Sequence, residues 1–526
     1  MFRRTSSGGH RGAAATAVAA VLAVTALGGC SGGGSEGDRG DGAQRSASAR
    51  PDGDDAPALP EELTGQRLTW EECEAPAPGT SPPADRWECA TLRAPLDYDE
   101  PRGETLDLAL IRTRATGEDG RVGSLLFNFG GPGGSGVAAL PGFENSFATL
   151  GASYDLVSFD PRGVGRSAKV RCQSDAEIEE SLGTDVTPDT DAEERAYLEE
   201  ARALSADCDE EAGELLPHVG TADAARDMDL MRHVLGDEKL HYFGFSYGTT
   251  LGGTYAHLFP GNVGRMVLDA AVDPTAGTVE HARHQTVGFQ RALENYLAST
   301  GEDPGQGTRR IADLLERIDR EPLPTDGDRR LSEAQALYGI VAPLYSEAGW
   351  PLLTQALEQA EDGDGTGLLA LSDGYHGRDD AGRFEAASHA QRAVSCADDS
   401  HRATPEEARA VLPDFVEVSP VFGPFLAWDT AGWCADWPVP GARDTPEVSA
   451  EGAAPVVVIG TTGDPATPVE GAERMAKELG EDVGVLVTVD GEGHGAYLAG
   501  GSCVQDAVDA YLLRGDVPDD GTTCDA

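Results

Sequence analysis

The feature that most constrains this chain is the pentapeptide Gly244-Phe245-Ser246-Tyr247-Gly248. It has the pattern G-x-S-x-G, a strand-to-helix turn so tight that only small residues fit beside the serine. Its context is the required one. Residues 239–243 read as a strand, and residues 249–258 read as a helix. Such a turn pushes the Ser246 hydroxyl out over the edge of a sheet, which marks it as a candidate nucleophile.

A serine hydroxyl is a weak nucleophile and needs a base, commonly a histidine oriented by a carboxylate. Around such an elbow the partners follow in the order serine, acid, histidine. The acid belongs just beyond a late strand and the histidine after the last one. Residues 455–460 and 483–489 read as two late strands, and Asp464 and His494 follow them in turn. No histidine other than His494 follows His401. Asp490 competes for the acid role, but it sits too near His494 to lie on a separate loop. Asp464 also has a plain reading as a helix N-cap before Thr467-Pro468.

An acyl-transfer site also needs N–H donors for an oxyanion. One is expected from the main chain of Tyr247. The other is expected from the loop Phe129-Gly130-Gly131-Pro132-Gly133-Gly134-Ser135-Gly136, at Gly131, with Gly130 as the alternative. A phosphate-cradling loop is a weak rival reading, because no G-K-[ST] follows. Asp160-Pro161-Arg162-Gly163-Val164-Gly165-Arg166-Ser167 follows another strand. There Arg162 is expected to tie loops together through Asp160, as architecture.

Strand-like segments at 106–112, 123–128, 154–159, 240–244 and 265–268 precede the two late strands. Helical segments such as 221–235 and 469–479 lie between them. This alternation defines an α/β fold with a mostly parallel sheet. The stretch 275–440 is mainly helix-patterned, as in 333–360, with an acidic turn at 361–367. It reads as a helical cap inserted over one end of the sheet. The expected organisation is a signal segment 1–29, a Gly- and Ser-rich linker 30–61, a core 62–274, the cap 275–440 and the rest of the core 441–526.

The signal segment rests on Arg3, Arg4 and Arg11, followed by a small and apolar run over 13–27. Leu27-Gly28-Gly29-Cys30 resembles a bacterial lipobox, so Cys30 is the expected lipidation site and lipid anchor. Eight further cysteines suit an exported, disulfide-bonded protein. The pairs 73–89, 172–208, 396–434 and 503–524 are expected, because each closes a modest loop. No C-x-x-C or H-x-x-x-H pattern calls for a metal, and no cofactor is expected. Forty basic residues against 91 acidic ones give a net charge of -51. That excludes a nucleic-acid binder, which needs a basic footprint. It also excludes charge-driven docking on anionic lipid.

Taken together, these segments resemble the secreted tripeptidyl aminopeptidases of the α/β-hydrolase superfamily, relatives of proline iminopeptidase. The resemblance runs from about Cys89 to Cys524. It rests on Ala94-Pro95-Leu96-Asp97-Tyr98, the 130–136 loop, Asp160-Pro161-Arg162-Gly163 and the Ser246 elbow. It rests also on Gly463-Asp464-Pro465-Ala466-Thr467-Pro468, on Gly493-His494-Gly495 and on Cys396 with Cys434-Ala435-Asp436-Trp437-Pro438. This chain departs from the family at Phe129, where proline iminopeptidases carry His and the tripeptidyl enzymes usually Pro. The resemblance implies hydrolysis of peptide substrates from a free N-terminus, under a roof that limits access. A carboxylic-ester hydrolase with the same three residues is the alternative, since amide and ester pass through the same intermediate.

Overall fold

The computed structural model describes residues 57–75, 83–117 and 120–526. The signal segment, Cys30 and most of the expected linker lie outside the described residues. Ten strands form one sheet: β1 (Glu71–Glu72), β2 (Glu88–Pro95), β3 (Thr105–Thr113), β4 (Gly123–Asn128), β5 (Tyr154–Phe159), β6 (Leu240–Phe245), β7 (Val263–Asp269), and, beyond a small separate hairpin of β8 (Leu323–Pro324) and β9 (Arg330–Leu331), β10 (Val456–Gly463), β11 (Gly484–Glu492) and β12 (Thr522–Asp525). The order is β1-β2-β3-β5-β4-β6-β7-β10-β11-β12. Strands β1 to β3 pair antiparallel and β3 meets β5 antiparallel; every pair from β5 to β12 is parallel.

The central strands are apolar at successive positions because helices cover both faces. Leu126, Tyr242 and Val458 point into a core shared with helices Thr221–Leu235, Tyr247–Leu258 and Val469–Leu479. Their neighbours Leu125, Phe127, Phe243 and Val457 point into the opposite core, closed by helix Ser502–Arg514. The parallel arrangement carries every strand's carboxyl end to one edge, where ligands bind in open α/β sheets.

Between β7 and β10 the chain is almost wholly helical. Phe289, Leu337, Ile340 and Phe415, from three helices, meet Phe422 there in one apolar core. The 333–360 stretch is two helices, Glu333–Leu344 and Trp350–Glu361, not one. Pro343 lies within the last turn of the first, and Pro351 sits in the first turn of the second, where its missing N–H costs nothing.

The helical layer also takes a piece of chain that the sequence reading assigned to the 62–274 core. Helices Asp175–Ser181 and Asp191–Ala212 leave the sheet after β5 and join the cap. Tyr197 and Leu198 pack on Ala408, Trp428 and Ala431, and Ser332 Oγ donates to the Leu182 carbonyl at 2.6 Å. Nothing in the sequence reading placed helices here or indicated which surface this stretch would cover.

Four disulfides are formed, Cys73–Cys89, Cys172–Cys208, Cys396–Cys434 and Cys503–Cys524, the pairs that short loops favoured. No helix among the described residues is long and apolar enough to cross a membrane.

Candidate active site

Ser246 stands between β6 and helix Tyr247–Leu258 with φ +56° and ψ −125°. A non-glycine residue there is strained by about 1–3 kcal/mol, and such strain persists only where the surroundings impose it. The surroundings are visible. A Cβ on Gly244 would lie 2.4 Å from the Gly248 carbonyl oxygen, so both glycines are sterically required. The Ser246 N–H donates to the Asp269 carbonyl at 3.0 Å.

Asp464 follows β10 and is fully buried. Its Oδ1 accepts the N–H groups of Ala466 and Thr467, each at 2.9 Å, within its own loop. It is not a helix N-cap, because the next helix, Val469–Leu479, is entered through Pro468. His494 Nδ1 lies 2.9 Å from both Asp464 oxygens. Thr467 Oγ1 sits 3.0 Å from Asp464 Oδ2 and 3.3 Å from His494 Nδ1, bracing the pair. Burial alone would push the imidazole down; the Asp464 charge and hydrogen bond, aided by Asp269, outweigh it and raise His494 above its ordinary range. Asp490 takes no part: it accepts from Thr462 Oγ1 at 3.0 Å on the exposed side of β11.

With Nδ1 engaged by Asp464, the other ring nitrogen, Nε2, is buried and has no partner among the described residues. Ser246 Oγ and His494 Nε2 make no hydrogen bond with each other. Catalytic hydrogen bonds are often long before substrate binds. The two loops are nonetheless spliced. The Asp269 carboxylate accepts from Ala496 N at 3.0 Å and Tyr497 N at 2.9 Å, just beyond His494. Burial pushes the Asp269 carboxyl up to about 6 despite those donors. The cap supplies the remaining support, since His494 N donates to the Tyr345 carbonyl at 2.9 Å and the Tyr345 ring meets the imidazole edge-on at 5.4 Å. Asp269, Thr467 and Tyr345 escaped the sequence reading. Only Thr467 had a signal, as the third residue after Asp464.

The glycine loop lies against the elbow: a Cβ on Gly130 would be 2.8 Å from the Ser246 Cβ. Asn128 Oδ1 accepts the Gly130 N–H at 2.9 Å, so of the two candidate donors the Gly130 N–H is already engaged. Gly131, Ser246 and Tyr247 border one cavity of about 610 Å³, whose far walls include Thr221, Asp398 and Arg443. Phe129 points away from it, stacked between Phe143 and Phe245 at centroid distances of 5.1 and 5.8 Å.

One expectation is corrected. Arg162 does not engage Asp160. Asp160 is saturated by Ser135 Oγ at 2.6 Å and by the N–H groups of Val137 and Arg166. Arg162 turns the other way and clasps Asp227 at 2.7 and 2.8 Å, with further bonds to the carbonyls of Pro95, Leu96 and His218. Its role is architectural, through a different partner.

A doubly covered parallel sheet, a strained serine at a strand-to-helix elbow and a carboxylate-held histidine at the same edge define a serine hydrolase. Residues 123–325 match the family described as alpha/beta hydrolase fold, and residues 419–524 the family described as TAP-like protein. The chain is 38% identical over 493 residues to the serine protease Hip1 of Mycobacterium tuberculosis, covering 89% of this chain and 92% of that protein. It is 37% identical over 495 residues to carboxylesterase B of the same organism, covering 91% and 93%. It is 30% identical over 479 residues to the tripeptidyl aminopeptidase of Streptomyces coelicolor, covering 87% and 86%. The chain belongs to this TAP-like family of α/β hydrolases.

Proposed function

We propose that the protein is a serine exopeptidase that releases short peptides, tripeptides in particular, from the free N-terminus of peptide substrates through an acyl-enzyme. The observation that carries the reading is the pairing of His494 Nδ1 with Asp464, which leaves Nε2 unengaged. Ser246 Oγ attacks the scissile carbonyl and His494 Nε2 takes its proton. The N–H groups of Tyr247 and Gly131 receive the oxyanion. His494 returns the proton to the leaving amine, and Asp464 keeps the ring in the tautomer this requires. Water then enters by the same route and frees the acyl peptide.

Exopeptidase action is supported by the cap, which roofs the sheet edge, and by the names of the relatives. Four carboxylates, Asp223, Asp273, Asp398 and Glu447, border the cavity together with Arg226 and Arg443. The alternative, a carboxylic-ester hydrolase, is favoured by the carboxylesterase relative. Export is supported by the four disulfides. Attachment to the cell membrane through a lipid on Cys30 rests on the lipobox-like sequence. Chromophore release from a tripeptide anilide, compared with its N-acetylated twin, tests the reading. Cleavage of the free peptide alone is expected. Cleavage of simple aryl esters with both anilides intact would move the assignment to the esterase.

A further inference from the structure

The cap helix Ala387–Asp398 meets the oxyanion machinery at both of its ends. At its start it lies in backbone contact with the glycine loop. A Cβ on Gly133 would fall 2.3 Å from the Ala387 carbonyl oxygen and 2.9 Å from the Gln391 nitrogen. At its end, Asp398 reaches back to the sheet domain. Its Oδ1 accepts the Thr221 N–H at 2.7 Å, and its Oδ2 accepts the Thr221 hydroxyl at 2.5 Å. Thr221 Oγ1 is in turn 2.6 Å from Tyr247 Oη. A threonine has one hydroxyl proton. With that proton on Asp398, the Tyr247 phenol donates to Thr221, and the chain of bonds runs Tyr247 to Thr221 to Asp398. Disulfide Cys396–Cys434 anchors the same helix end two residues earlier.

The setting separates Asp398 from the other cavity carboxylates. Asp223 is paired with Arg226 at 3.2 Å, Asp273 with Arg474 at 2.7 Å, and Glu447 with Arg443. Asp398 has no salt-bridge partner among the described residues, and both of its oxygens are spent on Thr221. Burial pushes its carboxyl up to about 7, with the Thr221 bonds opposing the shift. A carboxylate kept in so costly a place, and aimed at one threonine, is doing positional work.

We propose that Asp398 is a positioning residue for acyl transfer: through Thr221 it fixes Tyr247, and with it the N–H that receives the oxyanion, so that the oxyanion hole is complete only when the cap helix is seated. The proposal rests on the reading of Ser246 as nucleophile and Tyr247 as donor. It makes the cap part of the catalytic geometry and not only a roof.

The test uses Asp398→Asn, Thr221→Val and the double variant on two substrates: a free tripeptide anilide, and a small aryl ester that carries no amine. Asp398→Asn keeps the acceptor for the Thr221 N–H but cannot accept the threonine proton at the second position. Each single variant should lower kcat on both substrates by roughly tenfold to a hundredfold, less than or equal to the loss of a whole oxyanion donor. KM should stay within about twofold, as for an interaction made in the transition state. The double variant should lose no more than the worse single one, because the three residues act as one chain. A loss confined to the tripeptide and expressed in KM would overturn the proposal and make Asp398 a counter-charge for the substrate ammonium. Full ester turnover in Thr221→Val would overturn it too, and that variant stands alone if Asp398→Asn fails to fold. Turnover that survives in Ser246→Ala would instead sink the underlying reading, so the two failures are distinguishable.

Discussion

Asp269 binds Ser246 through its main-chain carbonyl at 3.0 Å, and its side chain meanwhile holds the two N–H groups that follow the His494 turn. One residue at the end of β7 therefore sets the spacing between the candidate nucleophile and its base. The elbow comes from β6 and the histidine from the loop after β11, and the sheet places β7 next to β6 with only β10 between β7 and β11. Asp269→Asn keeps the main-chain bond but turns one carboxylate acceptor into an N–H₂ facing an N–H. We expect kcat to fall about tenfold and stability by about 1–3 kcal/mol, the cost of a buried donor left unpaired. Steady-state kinetics and denaturant unfolding check both.

The acid limb of the rate profile should report His494. The base must be neutral to accept the Ser246 proton, and its raised pKa keeps it charged to higher pH than an ordinary histidine. The midpoint of kcat/KM is expected above about 6.5. In Asp464→Asn the ring loses the charge that raises it, and kcat should fall by about 10³–10⁴ through the wrong tautomer. The same shift makes a small stability term, present below the unfolded pKa and lost as pH climbs through the folded one. A pH series of kcat/KM on both proteins decides this.

Arg162 and Asp227 are both fully buried and face each other at 2.7 Å. Arg162→Ala leaves the Asp227 carboxylate without its cation. We expect a loss of about 3–5 kcal/mol, read as a drop in the denaturation midpoint. Arg162→Ala and Asp227→Ala together should cost less than Arg162→Ala alone, because the Asp227 charge is removed with its cation.

Glu333 begins a cap helix, close to Asp185 and Asp319, with its carboxylate accepting from Thr187 Oγ1 at 2.7 and 2.9 Å. Burial and the neighbouring acids push its carboxyl up to about 8. The folded chain therefore holds a proton there that the unfolded chain releases near pH ~4. Stability should decline as pH rises between those values, since the unfolded state binds fewer protons. Glu333→Gln removes the titration and should stabilise the protein by on the order of 1–2 kcal/mol at pH 7.5 and above. Thermal unfolding across pH 5 to 8.5 checks the sign.

What the sequence made legible was local. The β-branched runs gave β10 and β11, and Tyr154 to Phe159 gave β5, because parallel strands covered by helices run largely apolar. Gly244 and Gly248 flagged the elbow because their van der Waals neighbours leave no room for a side chain. What stayed hidden was long-range. Asp269 is an ordinary strand-end aspartate until the segment after His494 folds against it. Arg162 looked paired to Asp160 because the two are neighbours in sequence, yet Asp160 satisfies itself within its own loop. The place of the helices around Tyr197 on the cap depends on contacts with Trp428, more than two hundred residues away. Asp398 had no motif, since its meaning comes from Thr221 and Tyr247.

The central claim is that Ser246 is the nucleophile activated by His494. Its most direct test is intact-mass and peptide-mapping analysis after treatment with an aryl fluorophosphonate, on the native chain and on His494→Ala. The account predicts a single adduct per chain, located on Ser246, formed in the native protein and slowed by at least about 10³ in the variant. An adduct on another residue, or peptide hydrolysis that continues after Ser246 is fully labelled, would contradict it.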